Sequence, residues 1–194
     1  MVITGNDNRE KPTMGLQPGV CWKYFDVGLQ PGYQDGPPSA KIVIYWELSE
    51  RLKEGEFAGK RFLVHKEYTK SIGEKSNLRK DLQTWRGAPY TSEEIKQGIE
   101  LDNILGKNCT LNLMEDKNGY PKVTGVFPPT KGTERLTPET PHEFIPRFIQ
   151  TLLAKRIPEP APEDRHMDNP KRDAIKTAYS GDGTEEKLED AEIF

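Results

Sequence analysis

Lys41-Ile42-Val43-Ile44-Tyr45-Trp46-Glu47-Leu48 is the stretch on which the fold turns. Its period of two puts Ile42, Ile44, Trp46 and Leu48 on one face of a strand and Lys41, Val43, Tyr45 and Glu47 on the other. Such a strand has a core side and a side expected to meet water. Upstream, Val20-Cys21-Trp22-Lys23-Tyr24-Phe25-Asp26-Val27 is dense in aromatic and β-branched residues, and a connection rich in Gly and Pro (Gly28, Pro31, Gly32, Gly36, Pro37, Pro38) separates the two strands.

Downstream, Arg61-Phe62-Leu63-Val64-His65-Lys66-Glu67-Tyr68-Thr69 supplies a third strand. Ser76 is placed to cap a helix through Trp85, with Leu78, Leu82 and Trp85 on one side, and Gly87 and Pro89 end it. Thr91-Ser92-Glu93-Glu94 opens a second short helix towards Gly98, and Leu101–Leu105 adds a further turn before Gly106. Asn108–Met114 alternates as a fourth strand, Asp116-Lys117-Asn118-Gly119 turns, and Tyr120–Phe127 returns as a fifth, with Pro121 marking an edge. Three strands, a helix and two more strands is the order of the OB-fold, so the sequence predicts a mainly β protein built on a five-stranded OB barrel with a helical insertion between strands 3 and 4.

The organisation expected around this barrel has four parts. Residues 1–15 read as a flexible arm, 16–132 as the barrel, 133–157 as a linker and an amphipathic helix, and 158–194 as a disordered acidic tail. The helix carries Phe144, Phe148 and Leu152 with Ile145, Ile149 and Leu153, and starts near Pro146. Packing against the open end of the barrel is the expected role; a face for a partner or for a second copy of the chain is the rival.

A hydrophobic fraction of 34% and a mean hydropathy of -0.79 limit the core to part of the 194 residues. No apolar run approaches the roughly 20 residues that span a bilayer, and the first ten lack the apolar centre of a signal peptide, so a cytoplasmic protein is expected. Cys21 and Cys109 read as small buried side chains, and the isolated His65, His142 and His166 form no zinc set; neither metal nor other cofactor is expected.

Charge is unevenly distributed although the net value is only -3. Between Lys60 and Arg86 eight basic residues stand against three acidic ones, while between Asp182 and Phe194 six acids stand against Lys187 alone. A groove for single-stranded nucleic acid needs cations along the phosphates and flat rings on which unpaired bases stack. Lys41, Tyr45, Lys66, Tyr68, Lys70, Lys75, Arg79, Lys80, Arg86, Tyr120 and Lys122 offer both, with Lys75, Arg79 and Arg86 on one side of the helix. Trp46 and Trp85 read as core.

The chain has no phosphate-cradling Gly-rich loop, no Gly-x-Ser-x-Gly elbow and no His-Glu-x-x-His, and is expected not to be an enzyme. The one nuclease-like fragment is Glu115-Asp116-Lys117, which falls in the hairpin turn.

Val27-Gly28, Val43-Ile44-Tyr45-Trp46-Glu47, Lys66-Glu67-Tyr68-Thr69-Lys70-Ser71, Lys75-Ser76-Asn77-Leu78-Arg79-Lys80-Asp81-Leu82, Trp85-Arg86-Gly87, Leu105-Gly106-Lys107 and Gly119-Tyr120 together resemble, over about Gly19 to Gly132, a family of small phage proteins from replication and recombination modules. That family is regarded as OB-fold single-stranded DNA-binding proteins, so the resemblance implies single-stranded DNA as ligand. The acidic end, with Asp190, Glu192, Ile193 and the terminal Phe194, is similar to the tip by which bacterial and phage single-stranded DNA-binding proteins recruit replication and recombination enzymes. The bacterial tip carries Pro between Ile and Phe, whereas Ile193 and Phe194 are adjacent here. A protein-only adaptor and a metal-dependent nuclease using Glu115 and Lys117 are the competing readings.

Overall fold

The computed structural model describes residues 10–158 except 33 and 35. Five strands follow the expected order: β1 (Gly15–Gln30), β2 (Ser39–Arg51), β3 (Arg61–Thr69), β4 (Asn108–Glu115) and β5 (Pro121–Phe127). The helices are α1 (Asn77–Arg86), α2 (Ser92–Gln97) and α3 (Arg147–Ala154), with a 3-10 turn over Leu101–Ile104. All the strands form one antiparallel sheet of order β3-β2-β1-β4-β5.

β1 can serve two neighbours because it is long and bent. Its first residues, Gly15 to Val20, pair with β4, and Gly19 to Gln30 pair with β2. Register shifts between Cys21 and Lys23 and between Asp26 and Gly28 mark bulges, the usual device for curling a strand.

The sheet is not closed by hydrogen bonding, which corrects the expectation of a complete barrel. No ladder joins β3 to β5; across that seam Lys66 Nζ lies 2.6 Å from Asp81 Oδ2 of α1 and 3.4 Å from the Thr124 carbonyl of β5. The physical reason is that α1 and a lysine occupy the space where a backbone ladder would form.

The main core fills the concave side. Ile42, Ile44, Trp46 and Leu48 meet Phe62, Val64 and Tyr68 of β3, Cys109, Leu111 and Leu113 of β4, Val123 and Val126 of β5, and Leu78, Leu82 and Trp85 of α1. The rings of Trp46 and Trp85 cross edge to face at 6.3 Å, and the Trp85 indole donates to the Asn108 carbonyl at 2.9 Å. Both tryptophans are core, as their spacing indicated.

α1 begins where its sequence says. The Ser76 hydroxyl accepts from the Arg79 amide at 3.4 Å, and Gly87, at φ 75°, turns the chain out while its amide donates to the Gln83 and Thr84 carbonyls. Thr91 and Glu94 form a reciprocal capping box at the start of α2.

α3 does not plug an open end. It lies on the outer face of the sheet, where Ile149 is fully buried beside Trp22, Val27, Val43 and Tyr45. Among the described residues no helix is long and apolar enough to cross a membrane.

Candidate nucleic-acid interface

The outer face of β2 was expected to be wet and is dry. Val43, Tyr45 and Glu47 have 0%, 3% and 0% of their surface exposed. The cause is a segment nearly a hundred residues downstream in sequence: the chain folds back over β1–β3, and buried Glu47 receives the amides of Glu139 at 2.9 Å and Thr140 at 2.7 Å. Arg61 Nη1 stands 3.5 Å from the same carboxylate, and Arg61 and Arg51 both pair with Glu139, at 3.0 and 2.7 Å. A buried charge therefore fixes the start of the cover.

Tyr45 is thus corrected from a base platform to part of a covered aromatic cluster. Its ring stacks on His65 at 4.9 Å and meets Trp22 and Phe25 edge-on at 6.0 and 5.8 Å. Burial raises its phenol pKa well above the ordinary value. Burial also pushes the His65 imidazole down to about 4 from an ordinary 6.5. A folded state that resists this proton is fully stable above the unfolded pKa and loses stability as pH falls towards the folded one. Acidification from about pH 7 to about pH 4 is expected to lower the unfolding free energy by about 2 kcal/mol more in the wild type than in His65→Phe, as read by urea titration.

Tyr68 and Lys66 face the opposite way. Tyr68 pairs with Ile42, Lys66 with Ile44 and His65 with Tyr45, so Tyr68 and Lys66 share the core side while His65 and Tyr45 share the outer side. Tyr68 is only 3% exposed and donates its hydroxyl to Asp81 Oδ2 at 2.7 Å. Burial, then the Asp81 charge, raises its pKa strongly. Tyr45, Tyr68 and Lys66 do not form one channel, and the shared groove expected from them is absent.

Most of the remaining cations on β2, β3 and the end of α1 are engaged. Lys41 pairs with Glu67 at 3.4 Å, Lys70 with Asp26 at 2.6 Å, and Arg86 with Glu94 at 2.7 Å while lying 4.8 Å from the Tyr90 ring centroid. Arg86 also borders a groove of about 880 Å³ with Trp85, Tyr90, Glu94, Lys107 and Arg135. Lys75 and Lys80 are exposed and Arg79 is partly buried, and none of them pairs with a described acid. Lys66, reaching both Asp81 and Thr124, sets α1 beside β5.

The β4–β5 hairpin holds what is left. Tyr120 is 46% exposed, and Lys122, opposite Met114 in the ladder, is exposed and pairs with no described acid. Sequence reasoning missed three exposed neighbours, Leu16, Met114 and Phe127. The ladder puts them on one face, Leu16 beside Asn112 and Phe127 beside Thr110. Gly125 makes room for the Phe127 ring: a Cβ there would stand 2.8 Å from Phe127 Cε2. The alternation of β4 put Met114 opposite buried Leu111 and Leu113 in parity, which was the available signal; Phe127 shares its parity with buried Val123 and reaches the outer side only through the register shift between Asn112 and Leu113, which no local pattern announces.

The acid-x-Lys fragment serves the turn. Asp116 Oδ1 accepts the Asn118 and Tyr120 amides at 2.8 and 2.9 Å, and Glu115 lies 3.6 Å from Lys11 Nζ. Among the described residues no three His, Cys, Asp or Glu side chains come together as a metal site. Cys21 and Cys109 are buried free thiols, Cys21 pushed up to about 12 by burial. Asp190, Glu192, Ile193 and Phe194 lie outside the described residues. Compared with protein-family models, curated proteins and solved structures, the chain matches none.

Proposed function

We propose that this chain is a non-catalytic single-stranded DNA-binding protein that coats exposed strands with little sequence preference and recruits replication or recombination enzymes through its acidic tip. The strand order with a helix between β3 and β4 supports an OB-type barrel, in which α1 and Lys66 fill the side between β3 and β5 in place of a ladder. The observation that carries the reading is the β4–β5 face, where exposed Tyr120, Phe127 and Met114 accompany Lys117 and Lys122, neither ion-paired with a described residue. Rings hold unpaired bases and lysines replace phosphate counterions. The working interface is this hairpin, with Lys75, Arg79 and Lys80 of the neighbouring helical segment contributing charge.

Titration of fluorescent oligothymidine at low and high salt tests the reading. Tyr120→Ala is expected to weaken binding by about 1–3 kcal/mol, and Lys122→Ala to flatten the salt slope by about 0.7. No binding at about 50 mM salt, or an affinity indifferent to salt, overturns it.

A protein-only adaptor is the second reading, favoured by Phe144, Ile145, Phe148 and Leu153, which stay between 38% and 43% exposed around α3. It requires that no oligonucleotide bind while removal of residues 185–194 abolishes partner capture.

A further inference from the structure

We infer that Asn118 is a site of spontaneous deamidation, that Asp116 clamps the turn and so sets its rate, and that the acid it creates weakens the nucleic-acid interface of the β4–β5 hairpin. The last step rests on the function proposed above; the first two stand on the turn itself.

One asparagine of the chain precedes a glycine, and it lies at the tip of this hairpin. With no Cβ on residue 119, the Gly119 nitrogen can approach the Asn118 side-chain carbonyl closely. In the ring closure that nitrogen bonds to Cγ, the Cγ–Nδ2 bond breaks, and the Gly119 amide proton leaves with the side-chain nitrogen as ammonia. Water then opens the five-membered imide at either carbonyl, giving aspartate or its isomer, whose backbone runs through Cβ. Asn118 is exposed, and its carboxamide bonds to no described residue. Lys11 Nζ, which lies 3.6 Å from Glu115, stands 3.2 Å from where a Gly119 Cβ would be, an ammonium beside the negative charge that develops in the attack.

Asp116 opposes this chemistry. Its Oδ1 accepts the Asn118 and Tyr120 amides at 2.8 and 2.9 Å, and its carbonyl accepts the Gly119 amide at 2.9 Å. While these bonds last, the attacking nitrogen keeps its proton engaged and the turn keeps its shape, so the ring closes only when they let go. The Tyr120 amide, ahead of the Asn118 amide and Lys122, holds the Asp116 carboxyl below its ordinary range, which keeps the clamp charged at neutral pH. Conversion puts a new carboxylate one residue from Lys117 and two from Tyr120, where it repels phosphates. The isomer also lengthens the turn by one backbone atom and displaces Tyr120.

Ageing the full chain in mildly alkaline buffer, with peptide mapping by mass and oligothymidine titration at about 50 mM salt, is the test. The expected result is an acid at position 118, formed about fivefold faster in Asp116→Ala, where the side-chain bonds to the turn are gone. Aged wild type should bind about three- to tenfold more weakly, Asn118→Asp should match it without ageing, and Asn118→Gln should keep its affinity throughout. A carboxamide at 118 that stays intact in both wild type and Asp116→Ala overturns the inference and leaves the hairpin interface standing. Conversion no faster in Asp116→Ala, or without loss of affinity, overturns it as well. Failure of fresh wild type to bind oligothymidine overturns the interface instead, and mass alone then decides the modification site.

Discussion

Glu47→Ala is expected to lower the unfolding free energy by about 3–5 kcal/mol in urea titration, the largest loss from any single side chain considered. The carboxylate is fully buried and accepts from two backbone amides while facing Arg61, which is itself only 10% exposed. Removing it strands two amides away from water and takes one of two carboxylates from Arg61, which keeps Glu139 at 3.0 Å, and stranded donors cost more than the lost bonds themselves. Because the amides belong to Glu139 and Thr140, the same substitution should detach the start of the segment over β1–β3, visible as faster exchange there. Glu139→Ala is the contrast: its carboxylate is 40% exposed, so its loss should change stability little. A loss below about 1 kcal/mol for Glu47→Ala would show that the segment is anchored elsewhere.

Asp81→Ala is expected to cost about 2–3 kcal/mol by the same measurement. One oxygen, Oδ2, takes both the Lys66 ammonium at 2.6 Å and the Tyr68 hydroxyl at 2.7 Å, and Lys66 and Asp81 are only 18% and 17% exposed. Truncation leaves a cation and a phenol without their acceptor on the core side of β3. Converting the pair to Lys66→Met with Asp81→Leu should recover most of the loss, since no lone charge then remains. Recovery would assign Lys66 to architecture; continued loss of oligonucleotide affinity in the stable double variant would return it to the interface.

The elements were legible in the sequence because their signals are local. β3 spans Arg61–Thr69 as read, and α1 starts after Ser76 and stops at Gly87 because a hydroxyl cap and a left-handed glycine act within one turn. The candidate site was legible only in part, because exposure is decided at long range. Period two correctly separated Tyr45 from Trp46, but nothing near Tyr45 announces that Thr140, Phe148 and Ile149 will cover its face. Tyr68 looked like a groove ring between Lys66 and Lys70, yet its pairing with Ile42 turns it inward. The buried role of Glu47 was equally hidden, since an alternating strand offers the same letter for a solvated acid. Tyr120 and Lys122, which do stay exposed, sit on a hairpin whose strands pair within a few residues of each other.

A sheet whose last strands meet without a ladder keeps two bare margins, and bare margins invite other chains to add strands. Here Lys66 projects inward from one margin, and Pro121, which has no amide hydrogen to offer, begins the other. A partly buried ammonium and an imino acid thereby work against fibre-like stacking, and the gap that denies the protein a closed cylinder also equips it against polymerising.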